Sequence, residues 1–152
     1  MLAGLSLSVL LTSCGGFPAD PEGTLDRVTG GELRVGVSHS PPYATVDGSN
    51  EPAGSEIDLV RDFAASLDAD IEWTEAGEES LMDSLHEGEL DLVVGGISDK
   101  SPWTDKGALT RPYRETAGSD GTTRKLVFVA PLGENEYLMT LERFLSGHGG
   151  GQ

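Results

Sequence analysis

Apolar positions change their spacing several times between Leu33 and Leu145, and each change predicts an element. Leu33, Val35 and Val37 alternate as a strand does, and the Val-Gly-Val continuation suits a central parallel strand covered on both faces. Ser40-Pro41-Pro42-Tyr43 ends that strand, and Asp47-Gly48-Ser49-Asn50 is turn chemistry. From Ser55 to about Leu67 the spacing turns helical, with Ile57, Val60, Ala64 and Leu67 on one stripe. Ser55 is placed to cap this helix, and Glu56 and Asp58 occupy its first turn, where the helix dipole favours negative charge. Ile71 to Thr74 reads as a second strand, and Leu81, Met82 and Leu85 mark a short helix stopped by Gly88. Leu90 to Val94 is a third strand, buried throughout, running into Gly95-Gly96. Beyond Trp103 the pattern weakens into a flexible polar bridge, Ala117 to Thr123. Lys125 to Ala130 predicts one more strand, and Asn135 to Leu145 an amphipathic helix with Leu138, Leu141 and Leu145 on one face.

Strands and helices alternating at this length predict an α/β lobe of three layers, with a mostly parallel sheet of about 4–5 strands and helices on both faces. In such sheets the ligand crevice lies beyond the carboxyl ends of the strands. Two loops fall there, Ser38 to Tyr43 and Gly95 to Trp103.

The 152 residues leave room for one domain with a real core. Ten basic against 26 acidic residues, a net charge of −16, argue against nucleic acid as a partner and against electrostatic attachment to anionic lipid. The single cysteine, Cys14, ends an apolar stretch from Met1 to Leu11 that is too short to span a bilayer and about right for the core of a signal peptide. No Lys or Arg precedes that stretch, as a start codon placed too late would leave it. From Gly15 to Gly31 few residues are apolar, which predicts a tether.

Three runs carry a resemblance: Val-Gly-Val-Ser-His-Ser-Pro-Pro-Tyr ending at Tyr43, Gly54 to Val60, and Glu87 to Ser98. Together they resemble the bacterial extracellular solute-binding family, type 2 periplasmic binding proteins that feed polar amino acids and related solutes to ABC importers. The likeness extends over about residues 32 to 103 and 109 to 145. Leu11-Thr12-Ser13-Cys14-Gly15 resembles a lipobox, in which the cysteine is lipidated and becomes the mature N-terminus. The resemblance implies a signal peptide over 1–13, a tether over 14–31, a solute-binding lobe over 32–146 and a disordered tail over 147–152. The second lobe of the family is expected to be missing near 115–124, where the chain turns straight back. Implied partners are a small polar solute, an importer permease and the membrane through lipid on Cys14, on the extracytoplasmic side; no cofactor and no nucleic acid are expected.

The candidate ligand contacts are Ser38, His39, Ser40 and Tyr43 from the first loop, Glu56 from the first helix, and Gly95, Gly96, Ile97, Ser98, Lys100 and Trp103 from the second loop. Backbone N–H groups of Gly95 and Gly96 can point into the crevice and Ser98 can offer its hydroxyl, although a tight strand exit without a ligand uses the same residues. In the family an arginine four residues into the Thr-x-x-Arg element clamps a carboxylate, but that position is Trp103 here, so the usual clamp is absent. Lys100 then supplies a point charge, and Trp103 either stacks on a ligand or packs under the loop, a combination suiting a cation, a ring or an uncharged solute. Ser40 stands where many members place a stacking aromatic, with Tyr43 or His39 as substitutes, while a loop histidine is more often solvated. Asp58 matches a lobe-supporting position of the family, and Arg111 either pairs with an acidic neighbour or faces the crevice. With no Ser-His-Asp order, phosphate loop or zinc cluster, the chain is read as a binding protein and not an enzyme. The rivals are a reduced interaction module, a vestigial lobe that needs a partner, and a dehydratase-type enzyme using Glu56 as acid.

Overall fold

The computed structural model describes residues 18–48 and 51–148; the apolar start, Cys14 and residues 149–152 lie outside it. Helix α1 (Thr24–Val28) leads into β1 (Glu32–Val37), α2 (Ser55–Ser66), β2 (Asp70–Glu75), α3 (Glu78–His86) and β3 (Leu92–Val94). β4 (Ala108–Leu109), β5 (Arg114–Ala117), β6 (Thr123–Leu126), β7 (Val129–Ala130) and α4 (Asn135–His148) follow. Five strands form one sheet in the order β2-β1-β3-β7-β4, with β1 parallel to both neighbours and β7 antiparallel to β3 and β4. The sheet is therefore mostly parallel, as the alternation of elements predicts.

Period-2 alternation sorts the core into two layers. Leu33, Val35, Val37, Leu92, Val94, Phe128 and Ala130 point to one face, where α1, α2 and α4 cover them through Val28, Ile57, Val60, Phe63, Tyr137, Leu141 and Leu145. Val93 and Val129 point to the other, beneath Leu81, Met82 and Leu85 of α3. Each fully buried Val or Leu contributes about 1.5–3 kcal/mol, so the helical stripes read from the sequence are what close the sandwich.

Several local expectations change. The segment read as a tether is ordered from residue 18 and ends in α1, whose Val28 is fully buried. Reciprocal polar capping holds it: the Glu134 carboxylate accepts the N–H groups of Glu22 and Thr24 at 2.9 and 3.0 Å, while Asp20 accepts those of Leu25 and Tyr137 at 3.1 and 3.0 Å. Burial pushes the Glu134 carboxyl up, yet the backbone N–H groups outweigh it and leave it below the usual carboxylate range. A segment poor in apolar residues is docked by hydrogen bonds that no hydrophobic pattern announces. The expected tail begins later than 147, because α4 runs on to His148.

Ser55 does not cap α2. It is the first helical residue, behind Gly54 at φ 128°, and the Tyr43 carbonyl receives the Glu56 N–H at 2.9 Å. A Cβ on Gly54 would lie 2.3 Å from that carbonyl oxygen, so glycine is required there. The stretch expected as one strand, Lys125 to Ala130, divides into β6 and β7, which belong to different sheets. Ala117 to Thr123 is no loose bridge: β5 and β6 pair as an antiparallel hairpin, registering Arg114 with Leu126 and Thr116 with Arg124. Asp120 closes its turn by accepting the backbone N–H and the hydroxyl of Thr122.

Candidate functional site

The carboxyl ends of β1 and β3 lie side by side, with the Ser38 N–H donating to the Val94 carbonyl at 3.0 Å. The loops leaving them meet in van der Waals contact. A Cβ on Gly95 would fall 2.4 Å from the Ser38 carbonyl oxygen, and one on Gly96 would fall 2.3 Å from Ser40 Oγ and 3.1 Å from the Tyr43 ring. With φ values of 140° and 66°, both positions also need glycine for their backbone conformation. Ser38, Ser40, Tyr43, Gly95 and Gly96 are therefore brought together, as anticipated from the two crevice loops.

Their support is Glu56, which is fully buried. Its Oε2 accepts the N–H groups of Gly95 and Gly96 at 2.8 and 2.9 Å, and its Oε1 accepts the hydroxyl of Tyr113. Two expectations fall with this. The glycine N–H groups face inward to the carboxylate and not into the crevice, because the positive φ values turn them that way. Glu56 itself has no exposed surface with which to touch a ligand or donate a proton to one, and it acts as a strut beneath the loop. Burial raises its pKa, partly offset by hydrogen bonds from Tyr113, Gly96 and Gly95. Tyr113 is pushed well above the usual phenol range, first by burial and then by the charge of Glu56. Its ring lies edge-on to Phe128, centroids 5.0 Å apart.

The other expected contacts separate. Ile97 is buried among the α3-side apolar residues, so its side chain is core. Ser98 bridges to Leu126 of β6 and is half-buried. His39 is exposed, and its Nδ1 accepts the Val46 N–H at 3.1 Å, a local turn contact. Lys100 is exposed at the outer end of the loop. Trp103 turns away onto α3: its Nε1 donates to Glu78 at 2.6 Å and Lys106 Nζ sits 4.9 Å from the ring centre, so it packs and does not stack on a ligand. Arg111 pairs with Glu142 at 2.9 Å, on the helix side. No cluster of His, Cys, Asp and Glu suited to a metal ion occurs among the described residues.

Three residues of this region escaped the sequence reading: Tyr113, Arg114 and Arg124. Arg124 Nη2 donates to the Gly96 carbonyl at 3.0 Å, tying the hairpin to the loop, and Arg114 lies close enough to Glu56 to lower its pKa. Alternation along the hairpin was the available signal, since Arg114, Thr116, Arg124 and Leu126 share one face in this register.

Comparison with known proteins agrees with this arrangement. Bacterial extracellular solute-binding proteins, family 3, match residues 33–145. The membrane-bound lytic murein transglycosylase F of Thiobacillus denitrificans is 28% identical over 93% of this chain and 32% of its own length. The ABC transporter arginine-binding protein 1 of Escherichia coli is 28% identical over 57% of this chain and 36% of its own. The chain thus spans about a third of the length of either relative. Among solved structures, the arginine-bound form of domain 1 from TmArgBP superposes with a TM-score of 0.69 at 22% identity, covering 80% of this chain and 97% of that one. An ancestral cyclohexadienyl dehydratase superposes with the same TM-score, 0.69, at 14% identity over 81% of this chain and 89% of its own. At these identities the likeness concerns the fold. No helix among the described residues is long and apolar enough to cross a membrane. With its lobe architecture, its paired crevice loops and a family match over most of its length, the chain belongs to the bacterial extracellular solute-binding proteins, family 3.

Proposed function

We propose that this lobe binds a small polar solute at the carboxyl ends of the strands, on the wall that the β1 and β3 loops form together, and serves as the solute-binding component of an ABC importer, held to the outer side of the membrane by lipid on Cys14. The observation that carries the reading is the preorganised loop pair: Glu56 spends its carboxylate on Gly95, Gly96 and Tyr113, which holds the crevice wall ready before any ligand arrives. Two further facts support it. A single domain of this fold, domain 1 from TmArgBP, is described in an arginine-bound form, and the E. coli relative is an arginine-binding protein of a transporter. Catalysis is not part of the proposal, because the one buried crevice carboxylate has no face toward a substrate.

A second reading is a reduced module outside transport, whose site a partner completes. The transglycosylase F match favours it, since that likeness runs over 93% of the chain, further than the 57% shared with the arginine-binding relative.

Thermal unfolding of the chain with a panel of amino acids, amines, organic acids and sugars tests both. A ligand at about a hundred times its dissociation constant adds roughly 2.7 kcal/mol, several degrees in Tm for a domain of this size. A reproducible shift is expected; a cooperative melt unmoved by every compound sinks the solute-binding reading for the lobe alone and leaves the partner-completed one. Lipidation is checked separately, by loss of the chain from the membrane fraction on Cys14→Ala.

A further inference from the structure

Hydrogen bonds fix where the amino-terminal chain meets the lobe. The Ala19 carbonyl receives the Asn135 N–H at 3.0 Å, and the Asp20 carboxylate receives that of Tyr137 at 3.0 Å, so residues 19 and 20 lie against the start of α4. Glu134 holds the next stretch through the N–H groups of Glu22 and Thr24. This is the end of the lobe opposite the crevice. Glu22 and Glu134 line one groove with Arg34 and Asp91, which stand toward the amino ends of β1 and β3. Because β7 runs antiparallel to β3, its exit into α4 returns to that same end.

Such docking sets the reach of an anchor on Cys14. From Cys14 to Pro18 the chain extends at most about 14 Å, whereas a tether loose as far as Gly31 would reach about 60 Å. A lobe of this size is about 35 Å across. The long tether would let the lobe present any side to the surface that holds Cys14. The short one cannot bring the crevice loops down to it.

A second observation marks the same end. Leu132 and Met139 are the exposed large hydrophobics among the described residues, at 46% and 47%. Leu132 sits in the turn before α4 and lines the groove beside Glu22, while Met139 lies one helical turn past Asn135 on the same face. Both flank the site where residues 19 and 20 dock.

Resting on the reading that Cys14 carries lipid, we infer that the amino-end face of the lobe is its membrane-docking surface, with Leu132 and Met139 at the bilayer interface and the crevice held away from it. With a net charge of −16 the chain gains nothing from anionic headgroups, so the leash and the apolar pair make the contact. The crevice then opens about 30 Å above the bilayer, and solute or partner meets it there.

The test is fluorescence quenching in the lipidated full chain, held on phosphatidylcholine vesicles that contain a headgroup-spin-labelled phosphatidylcholine. Because lipid occupies the Cys14 sulfur, a single thiol-reactive fluorophore reports from Leu132→Cys or from Lys100→Cys, both exposed positions, and melting of each variant checks that it folds. Quenching at Leu132→Cys should exceed that at Lys100→Cys by about threefold or more, with Met139→Cys close to the former. Equal quenching at the two, stronger quenching at Lys100→Cys, or none at either overturns the docked face and leaves the lipid anchor standing. Inserting about ten Gly and Ser residues after Gly16 should level the two signals. An undiminished difference there would overturn the short leash as its cause. A Cys14 thiol still open to the reagent in the unaltered chain removes the anchor, and this orientation with it.

Discussion

The two ends of the sheet treat positive charge in opposite ways. At the amino ends of the parallel strands, Asp91 sits 1% exposed between Arg27 and Arg34, accepting the Arg34 backbone N–H at 2.9 Å as well as both guanidinium groups. Burial pushes the Asp91 carboxyl up, but the hydrogen bonds from Arg34 and Arg27 win and hold it below the usual range. A groove of about 580 Å³ opens here, lined by Arg27, Arg34, Asp91, Lys106 and Glu134 among others, and these charges are answered from within the chain. At the carboxyl ends, the buried carboxylate is given to backbone and phenol donors, and Arg114 and Arg124 beside it sit in no ion pair among the described residues. Charge satisfied by its own chain closes the fold at one end; at the other, the carboxylate is buried as a strut and cations stand outside ion pairs.

The contrast can be broken most severely at the crevice end. Glu56→Ala strips three buried donors of their acceptor at about 1–3 kcal/mol each, so a loss of at least roughly 3 kcal/mol by denaturant unfolding is expected, with solute binding lost as the loop relaxes. A loss below about 1 kcal/mol would show that Glu56 is not the strut.

Asp91→Asn comes next, at about 2–3 kcal/mol, below the usual cost of breaking a buried ion pair because Arg27 and Arg34 are 43% and 28% exposed and partly recover water. The two acids should also titrate stability with opposite sign. The folded pKa of Asp91 is lowered, so its contribution is present above the ordinary aspartate value and lost as pH falls through the folded value. That of Glu56 is raised, so stability declines as pH rises from the ordinary glutamate value through the folded one. Stability measured against pH for Asp91→Asn and Glu56→Gln should each lack its own slope; slopes of the same sign would remove the contrast.

Glu134→Gln tests the capping that docks α1. One of the two backbone N–H groups loses its acceptor, and a cost of about 1 kcal/mol with faster amide exchange confined to residues 20–28 is expected. The smallest effect has the opposite direction. Tyr137 is fully buried and its hydroxyl has no hydrogen-bond partner, so Tyr137→Phe should stabilise by about 0.5–1 kcal/mol in thermal melts. Destabilisation there would mean the hydroxyl is satisfied in solution.

Much of the lobe was legible because hydrophobic burial leaves a periodic trace. The alternation of Leu33, Val35 and Val37, the stripe of Ile57, Val60 and Ala64, and the unbroken Leu92-Val93-Val94 all lie where the pattern puts them. What left no trace was polar. Glu56 reads as an ordinary first-turn acid complementing a helix dipole, since nothing local says that Gly95 and Gly96, some forty residues on, will turn their N–H groups toward it. Trp103 looked equally fit to stack or to pack, and only the position of Glu78 decided it. Asp20 and Glu134 looked like solvated acids in segments without a pattern, yet each caps the helix that the other precedes.

By itself, then, the order of residues determined the α/β lobe, the mostly parallel sheet and the two glycine- and serine-bearing loops beyond its strands, because period and turn chemistry are local properties. Tertiary structure alone decided which acids are buried, which arginines stand outside ion pairs and that Trp103 packs on α3. Those outcomes depend on pairing between residues distant in the chain: a carboxylate's fate is set by the donors that reach it, and the donors reach it only once folding has brought the loops after β1 and β3 and the separate hairpin of β5 and β6 together.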